Sequence, residues 1–169
     1  TTFLRTIGAE ILTGDITDPH AVGRACQGVD TVYHAAARVG DWGPWTDFVR
    51  TTIDATQHLV DAASKNSVRR FLHISSVSVY GHIDGEGRIF DESAPLGSNV
   101  HRWSYYTRTK IEAERLVWRA HQAGLIAATV IRPSWLYGPR DRATLPRLID
   151  SLRKGKLKII GDGTNRLNV

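Results

Sequence analysis

Apolar strand patterns and amphipathic helix patterns alternate along nearly the whole chain, and this alternation constrains the fold more than any other feature. Residues 10–15 read as a short strand, and Pro19, with Asp18 before it as a cap, starts a helix running to Cys26. Residues 29–37 read as an apolar strand. A long helix is predicted from about Trp45 to Ala63, with Phe48, Val49, Ile53, Leu59, Val60 and Ala63 on one stripe. Next come a predicted strand over 71–76, a polar loop over 81–102, a helix from about Ser104 and a strand over 127–131. Beyond Pro133 the pattern predicts a helix near 145–153 and a short strand at 157–160. Elements in this order imply an α/β fold, a parallel sheet with helices on both faces.

The segment Ser104-Tyr-Tyr-Thr-Arg-Thr-Lys110 carries the clearest chemistry. Tyr106 and Lys110 are about one helical turn apart, so the phenol and the ammonium share a helix face. A nearby cation favours the phenolate, so that the tyrosine can exchange a proton with a substrate hydroxyl near neutral pH; a free tyrosine, with a pKa of ~10, could not. Upstream, Ser75 and Ser76 end a buried strand, and Ile111, Ala113, Leu116, Val117 and Ala120 are apolar at helical spacing. A strand ending in serine, a loop and a helix carrying Tyr and Lys bring all three groups to the carboxyl end of a parallel sheet, where open α/β sheets bind ligands. That is the acid/base apparatus of an alcohol-to-ketone redox enzyme. The competing structural reading is an aromatic at a helix start beside a solvated lysine.

A chain of 169 residues, 41% hydrophobic and 23% charged, can bury a single core. No apolar run approaches the ~20 residues needed to cross a bilayer, and the amino terminus lacks a signal pattern, so a soluble, cytoplasmic protein is expected. Cys26, the one cysteine, can make no internal disulfide and reads as a small buried side chain on a helix. The histidines are scattered without ligand spacing, which gives metal chemistry no support. The net charge of +5 is densest in Arg140, Arg142, Arg147, Arg153, Lys154, Lys156 and Lys158. No basic helix is interleaved with aromatics and no zinc or RNP-like motif occurs. Solvated charge, or the phosphates of a small-molecule partner, therefore accounts for the patch better than nucleic acid.

The motifs Gly14-Asp15-Ile-Thr-Asp18, Val32-Tyr-His-Ala-Ala-Ala37, Ser75-Ser-Val-Ser-Val-Tyr-Gly81, Tyr106-x-x-x-Lys110, Ile131-Arg-Pro-Ser-Trp-Leu-Tyr-Gly-Pro139 and Gly161-Asp-Gly-Thr-Asn165 span essentially the whole chain. In them the sequence resembles the extended short-chain dehydrogenase/reductase family of NAD(P)-dependent epimerases, dehydratases and 3β-hydroxysteroid-type dehydrogenases. The resemblance implies a partial Rossmann-like, doubly wound sheet over residues 1–140 and the start of a substrate-binding region over 141–169. It implies that Tyr106 is the general acid/base, that Lys110 holds the nicotinamide ribose and supports the phenolate, and that Ser76 donates a hydrogen bond to the reacting oxygen. Asp15 would accept from the adenine amine with Ile16 beside it. Ala35, Ala36 and Ala37 would let the dinucleotide pass close to a strand end, and Pro133 and Ser134 would line the nicotinamide end. The structural alternatives are a turn or cap for Asp15 and tight packing for the alanines. Family members commonly pair through the long helices flanking the site, which makes a homodimer an expectation.

Departures from the family pattern narrow the substrate. Val77-Ser78 stands where dehydratases of the family carry Asp-Glu, so elimination of water is not expected. Trp135 replaces an Asn with which nucleotide-sugar members grip a diphosphate, and an indole offers only one donor. Trp42 and Trp45 lie near the expected mouth of the site; with Val77 and Trp135 they either line an apolar substrate pocket or pack in the core. Thr52 sits where the family usually has an Asn. These features point to a steroid-like or lipid-like secondary alcohol. A nucleotide-sugar 4-epimerase is the second enzymatic reading, and a catalytically inactive cofactor-binding or scaffold protein is the reading of another class.

No Gly-x-x-Gly-x-x-Gly follows a first strand, although the family binds the pyrophosphate with that loop. The expectation is an internal piece of a longer chain that lacks the first two strands of the order 3-2-1-4-5-6. The residue choosing between NAD and NADP lies at the end of the second strand, so the cofactor reads as NAD or NADP. NAD comes first because the resembling families use it more often.

Overall fold

The computed structural model describes residues 2–40, 42–82, 89–141, 144–159 and 161–164. They belong to two compact units, Thr1–Arg132 and Pro133–Val169. The first contains α1 (Thr2–Thr6), α2 (Pro19–Ala25), β1 (Thr31–His34), α3 (Trp45–Phe48), a π-helical segment (Val49–Asp54), α4 (Ala55–Lys65), β2 (Arg70–Ile74), a 3-10 turn (Val77–Tyr80), α5 (Tyr105–Gln122) and β3 (Ala128–Ile131). The second contains α6 (Thr144–Arg153), whose first turn donates backbone N–H groups from Thr144 and Leu145 to the Asp141 carboxylate at 3.0 and 2.9 Å.

The three strands form a parallel sheet in the order β1-β2-β3, with His34 opposite His73 and His73 opposite Val130. Side chains alternate across a strand, which puts Val32, His34, Phe71, His73, Ala128 and Val130 on one face. Phe71 on that face packs with Val60 and Ala63 of α4 and with Val117 and Ala120 of α5. Its complete burial contributes roughly 2–3 kcal/mol. On the opposite face Tyr33 is 71% exposed. A smaller cluster of Val22, Cys26 and Ala62 holds α2 against α4, with Ile16 packed on it. Burial raises the pKa of the Cys26 thiol, as suits a packing role.

The long helix expected over 45–63 is one run of helical backbone interrupted by the π segment. Its cause is legible in the residues: Val49, Thr51, Thr52 and Ile53 are β-branched, and the Thr51 and Thr56 hydroxyls each donate to the carbonyl four residues back, Asp47 and Thr52, at 2.6 Å.

Two expected strands are not formed. Residues 10–15 are irregular, and Asp15 instead closes a turn by accepting the Thr17 N–H at 2.8 Å. The edge of β1 away from β2 has no partner among the described residues, so nothing there offers residues 10–15 a ladder. Residues 157–159 are also irregular, and residue 160 lies outside the described residues. An apolar pattern alone cannot make a strand without a neighbour to accept its backbone bonds.

Gly81 ends the serine turn at φ +89°, where it bridges to Ser98. An added Cβ would lie 1.6 Å from the Ser98 carbonyl oxygen. Gly81→Ala should therefore destabilise the protein by more than the roughly 1–3 kcal/mol of backbone strain alone, seen as a lowered denaturant midpoint.

Candidate active site

The carboxyl end of β2 separates two adjacent serines by the alternation of extended backbone. Ser75 extends the ladder by donating its N–H to the Ile131 carbonyl at 2.7 Å, and its buried hydroxyl donates to Glu114 Oε2 at 2.5 Å. Ser76 is also extended, at φ −162° and ψ 150°, and points the other way. Its half-buried Oγ accepts the Ser78 N–H at 3.1 Å, which caps the 3-10 turn and leaves the hydroxyl proton available to donate.

Helix α5 presents Tyr106, Lys110, Glu114 and Trp118 at successive four-residue steps. Burial deepens along that row: Tyr106 is half-buried, Lys110 is 2% exposed and Glu114 is fully buried. The Lys110 ammonium donates to the Ile74 carbonyl, so the helix reaches directly to the end of β2 beside the serines. Burial pulls the Lys110 pKa down to about 8, while the charge of Glu114 pushes it up. Lys110 thus remains mostly protonated at neutral pH.

Glu114 collects four donors. Besides Ser75 these are Arg132 Nη2 at 2.6 Å, Arg132 Nε at 3.1 Å and Trp118 Nε1 at 3.2 Å. Arg132 also donates through Nη1 to the Tyr80 hydroxyl at 2.6 Å, and that hydroxyl donates to the Asp91 carbonyl at 3.0 Å. Beneath Lys110, His34 and His73 are buried with ring centroids 5.2 Å apart. The Thr56 hydroxyl spends its proton on the Thr52 carbonyl, so it accepts from His34 Nε2 at 2.8 Å. Burial first, and the Lys110 charge second, push the His34 pKa down to about 4 and that of His73 lower still. Both imidazoles are therefore neutral. The cluster holds two cations, Lys110 and Arg132, against one carboxylate, Glu114, and so carries a net positive charge one helical turn from Tyr106.

The remaining expected residues fall as follows. Asp15 is exposed, its carboxyl held below the usual range by the Thr17 backbone bond and then by the Thr17 hydroxyl. With Ile16 it lines a groove of about 550 Å³ that also includes Gly14, Ala21 and Leu59. Ala35 and Ala36 are exposed and Ala37 is half-buried in the irregular chain after β1. Thr52 is buried, and its hydroxyl accepts the Arg38 N–H at 3.1 Å, which ties that chain to the π segment. Val77, on the serine turn, is 37% exposed and Trp42 is 90% exposed. Trp45 packs edge-on against Tyr105, at 5.2 Å between ring centroids, and beneath the Arg108 guanidinium at 4.3 Å, so it belongs to packing. Pro133 and Ser134, both half-buried, and Trp135, 59% exposed, open the second unit.

Sequence reading missed Glu114, Arg132 and the neutral histidine pair. A signal existed for Glu114, a carboxylate one further turn along from Lys110 on the helix's apolar side.

The family model described as the NAD dependent epimerase/dehydratase family matches residues 2–168, so the chain belongs to that family. It is 31% identical over 98% of its length to a 2-alkyl-3-oxoalkanoate reductase of Stenotrophomonas maltophilia, covering 49% of that protein. It is 32% identical over 96% of its length to a 3β-hydroxysteroid-dehydrogenase/decarboxylase of Arabidopsis thaliana, covering 28% of it. Among solved structures, UDP-glucuronic acid 4-epimerase from Bacillus cereus in complex with UDP-glucuronic acid and NAD superposes with a TM-score of 0.79. That match has 30% identity and covers 97% of this chain and 53% of the other. The chain thus spans about half or less of the length of these relatives, and its fold is Rossmann-type.

The histidines set a pH dependence of stability. A histidine whose folded pKa lies below the unfolded value of ~6.5 takes up its proton more readily when unfolded, so stability is complete above that value and falls as pH drops toward the folded one. For His34 the window runs from about 6.5 down to about 4 and is worth roughly 3 kcal/mol. Denaturant midpoints should fall from about pH 7.5 to about pH 5, a span that takes in the upper part of that window, and His73→Leu should flatten the slope.

Proposed function

We propose that the protein is an NAD-dependent oxidoreductase interconverting a secondary alcohol and a ketone on an apolar, steroid-like or lipid-like substrate. The single observation carrying this reading is the buried Lys110 ammonium, bonded to the Ile74 carbonyl beside Ser76 and one turn from Tyr106. An ammonium in that position costs folding free energy, and holding positive charge beside a reacting oxygen is the use that accounts for its place.

The residues present suit two ends of a dinucleotide. At the adenine end these are Asp15 and Ile16 on the groove. Ala35, Ala36 and Ala37, in the chain after β1, have methyl side chains that let a ligand approach the backbone. At the nicotinamide end they are Tyr106 and Lys110 for the ribose. The sequence contains no glycine-rich loop for the pyrophosphate between them. A bound nicotinamide cofactor would supply the hydride acceptor for the carbinol carbon. The chain's own part is proton handling: Ser76 donates a hydrogen bond to the substrate oxygen, the Tyr106 oxygen takes the hydroxyl proton, and Lys110 holds positive charge beside that oxygen. In the reductive direction Tyr106 returns the proton.

The apolar substrate is supported by Val77 in place of an acid after Ser76, by Trp135, and by the reductase and hydroxysteroid dehydrogenase named among the relatives. Nucleotide-sugar 4-epimerisation with the same three residues is the second reading, supported by the likeness to the UDP-glucuronic acid epimerase. Retained, non-exchanging NAD would favour it.

The test is a screen of the full-length protein with secondary alcohols and nucleotide sugars, with NAD and NADP, followed by nicotinamide absorbance. Tyr106→Phe should fold and lose at least ~100-fold in turnover. A Phe variant as fast as the parent removes Tyr106 from the mechanism.

A further inference from the structure

Glu114 bonds to the ends of two strands and acts on the lysine of the proposed site, yet no step of the proposed chemistry uses it. Its Oε2 takes the Ser75 hydroxyl, one residue from Ser76 at the end of β2. Both its oxygens take Arg132, immediately after β3, and its backbone lies one turn after Lys110 on α5. We propose that Glu114 is a positioning residue for the redox centre, a single buried carboxylate that aligns the ends of β2 and β3 with Lys110 and keeps the lysine side chain charged. The proposal rests on the reading of Ser76, Tyr106 and Lys110 given above.

The electrostatic surroundings of Lys110 leave this role to Glu114. β1 contributes His34 and β2 contributes His73, both neutral; the π segment contributes the uncharged Thr52 and α4 the uncharged Thr56; α5 contributes Tyr106 and Glu114. Arg132, after β3, bears on Lys110 through Glu114. Among these described groups Glu114 is the one carboxylate, and it opposes the burial that drives Lys110 toward its neutral form. Arg132 is bonded to the same carboxylate and tempers that effect. The balance leaves Lys110 charged at neutral pH with little margin, so the loss of one carboxylate should be readable.

The experiment uses the full-length protein. The titration midpoint of Lys110 is followed by NMR on isotope-labelled lysine Cε, and the pH profile of kcat/KM is measured with NAD and a 3β-hydroxysteroid as the alcohol. In Glu114→Gln, which keeps size and some hydrogen bonding but removes the charge, the midpoint should fall by ~1 pH unit and the high-pH limb of the profile should move down with it. Glu114→Asp, which withdraws the charge by one methylene, should move both in the same direction by less; it serves as the test if the Gln variant does not fold. A merely structural glutamate would lower thermal stability and leave the midpoint in place. An unmoved midpoint in a folded variant overturns the proposal. Should the midpoint move while Tyr106→Phe turns over as fast as the parent, the assignment of the redox site has failed, and Glu114 positions no catalyst. The NMR arm needs no substrate, so the two failures are told apart.

Discussion

The candidate site is organised around a buried ammonium. Lys110 is 2% exposed, and its head group is stitched to the Ile74 carbonyl at the end of β2. Burying a charge is costly unless it is paired and hydrogen-bonded, and the local architecture supplies what that requires. The four-residue step of α5 puts Glu114 one turn along. The parallel register of β2 with β3 brings Arg132 and Ser75 to the same carboxylate. The neutral histidines His34 and His73 fill the space beneath without adding charge. Each of these features would be poor design in a core built only for stability.

Lys110 and Arg132 face a single carboxylate, which leaves the cluster with a surplus of one positive charge. In the mechanism proposed above, that surplus favours negative charge on the Tyr106 oxygen, on the same helix face, as a proton moves between it and substrate. Ser76 complements this arrangement because the extended backbone turns it away from the buried network that holds Ser75. Of the two adjacent serines, one thus holds the strand end, and the other is the one that the proposed mechanism uses to donate to substrate.

The proposed trio could be picked out in the sequence because Tyr106 and Lys110 are linked by helical spacing, and Ser76 by a strand end. Both are local patterns. The central strands, Thr31–His34, Arg70–Ile74 and Ala128–Ile131, were legible for the same reason, each an apolar run between polar segments. Residues 10–15 and 157–159 carried strand-like patterns but have no ladder partner among the described residues, a fact that no local pattern can report. The π segment was masked by an intact apolar stripe, although its run of β-branched residues and back-bonding threonines marked the place. Arg132 and Glu114 are 18 positions apart in the chain and meet only because β3 returns alongside α5, so their pairing was invisible before the fold. Trp42 and Trp45 look alike in sequence, yet Trp42 is 90% exposed while Trp45 packs edge-on against Tyr105 and under the Arg108 guanidinium.

Lys110→Met in the full-length protein tests the central claim most directly. A buried charge replaced by an apolar side chain of similar length leaves stability unchanged or raised, since Glu114 keeps Arg132 as its partner. Parallel measurement of the denaturant midpoint and of secondary-alcohol turnover should therefore show a midpoint equal to or above the parent's, with turnover all but abolished. A folded Met variant that turns over at the parent's rate would contradict the account, because the ammonium would then have no catalytic purpose.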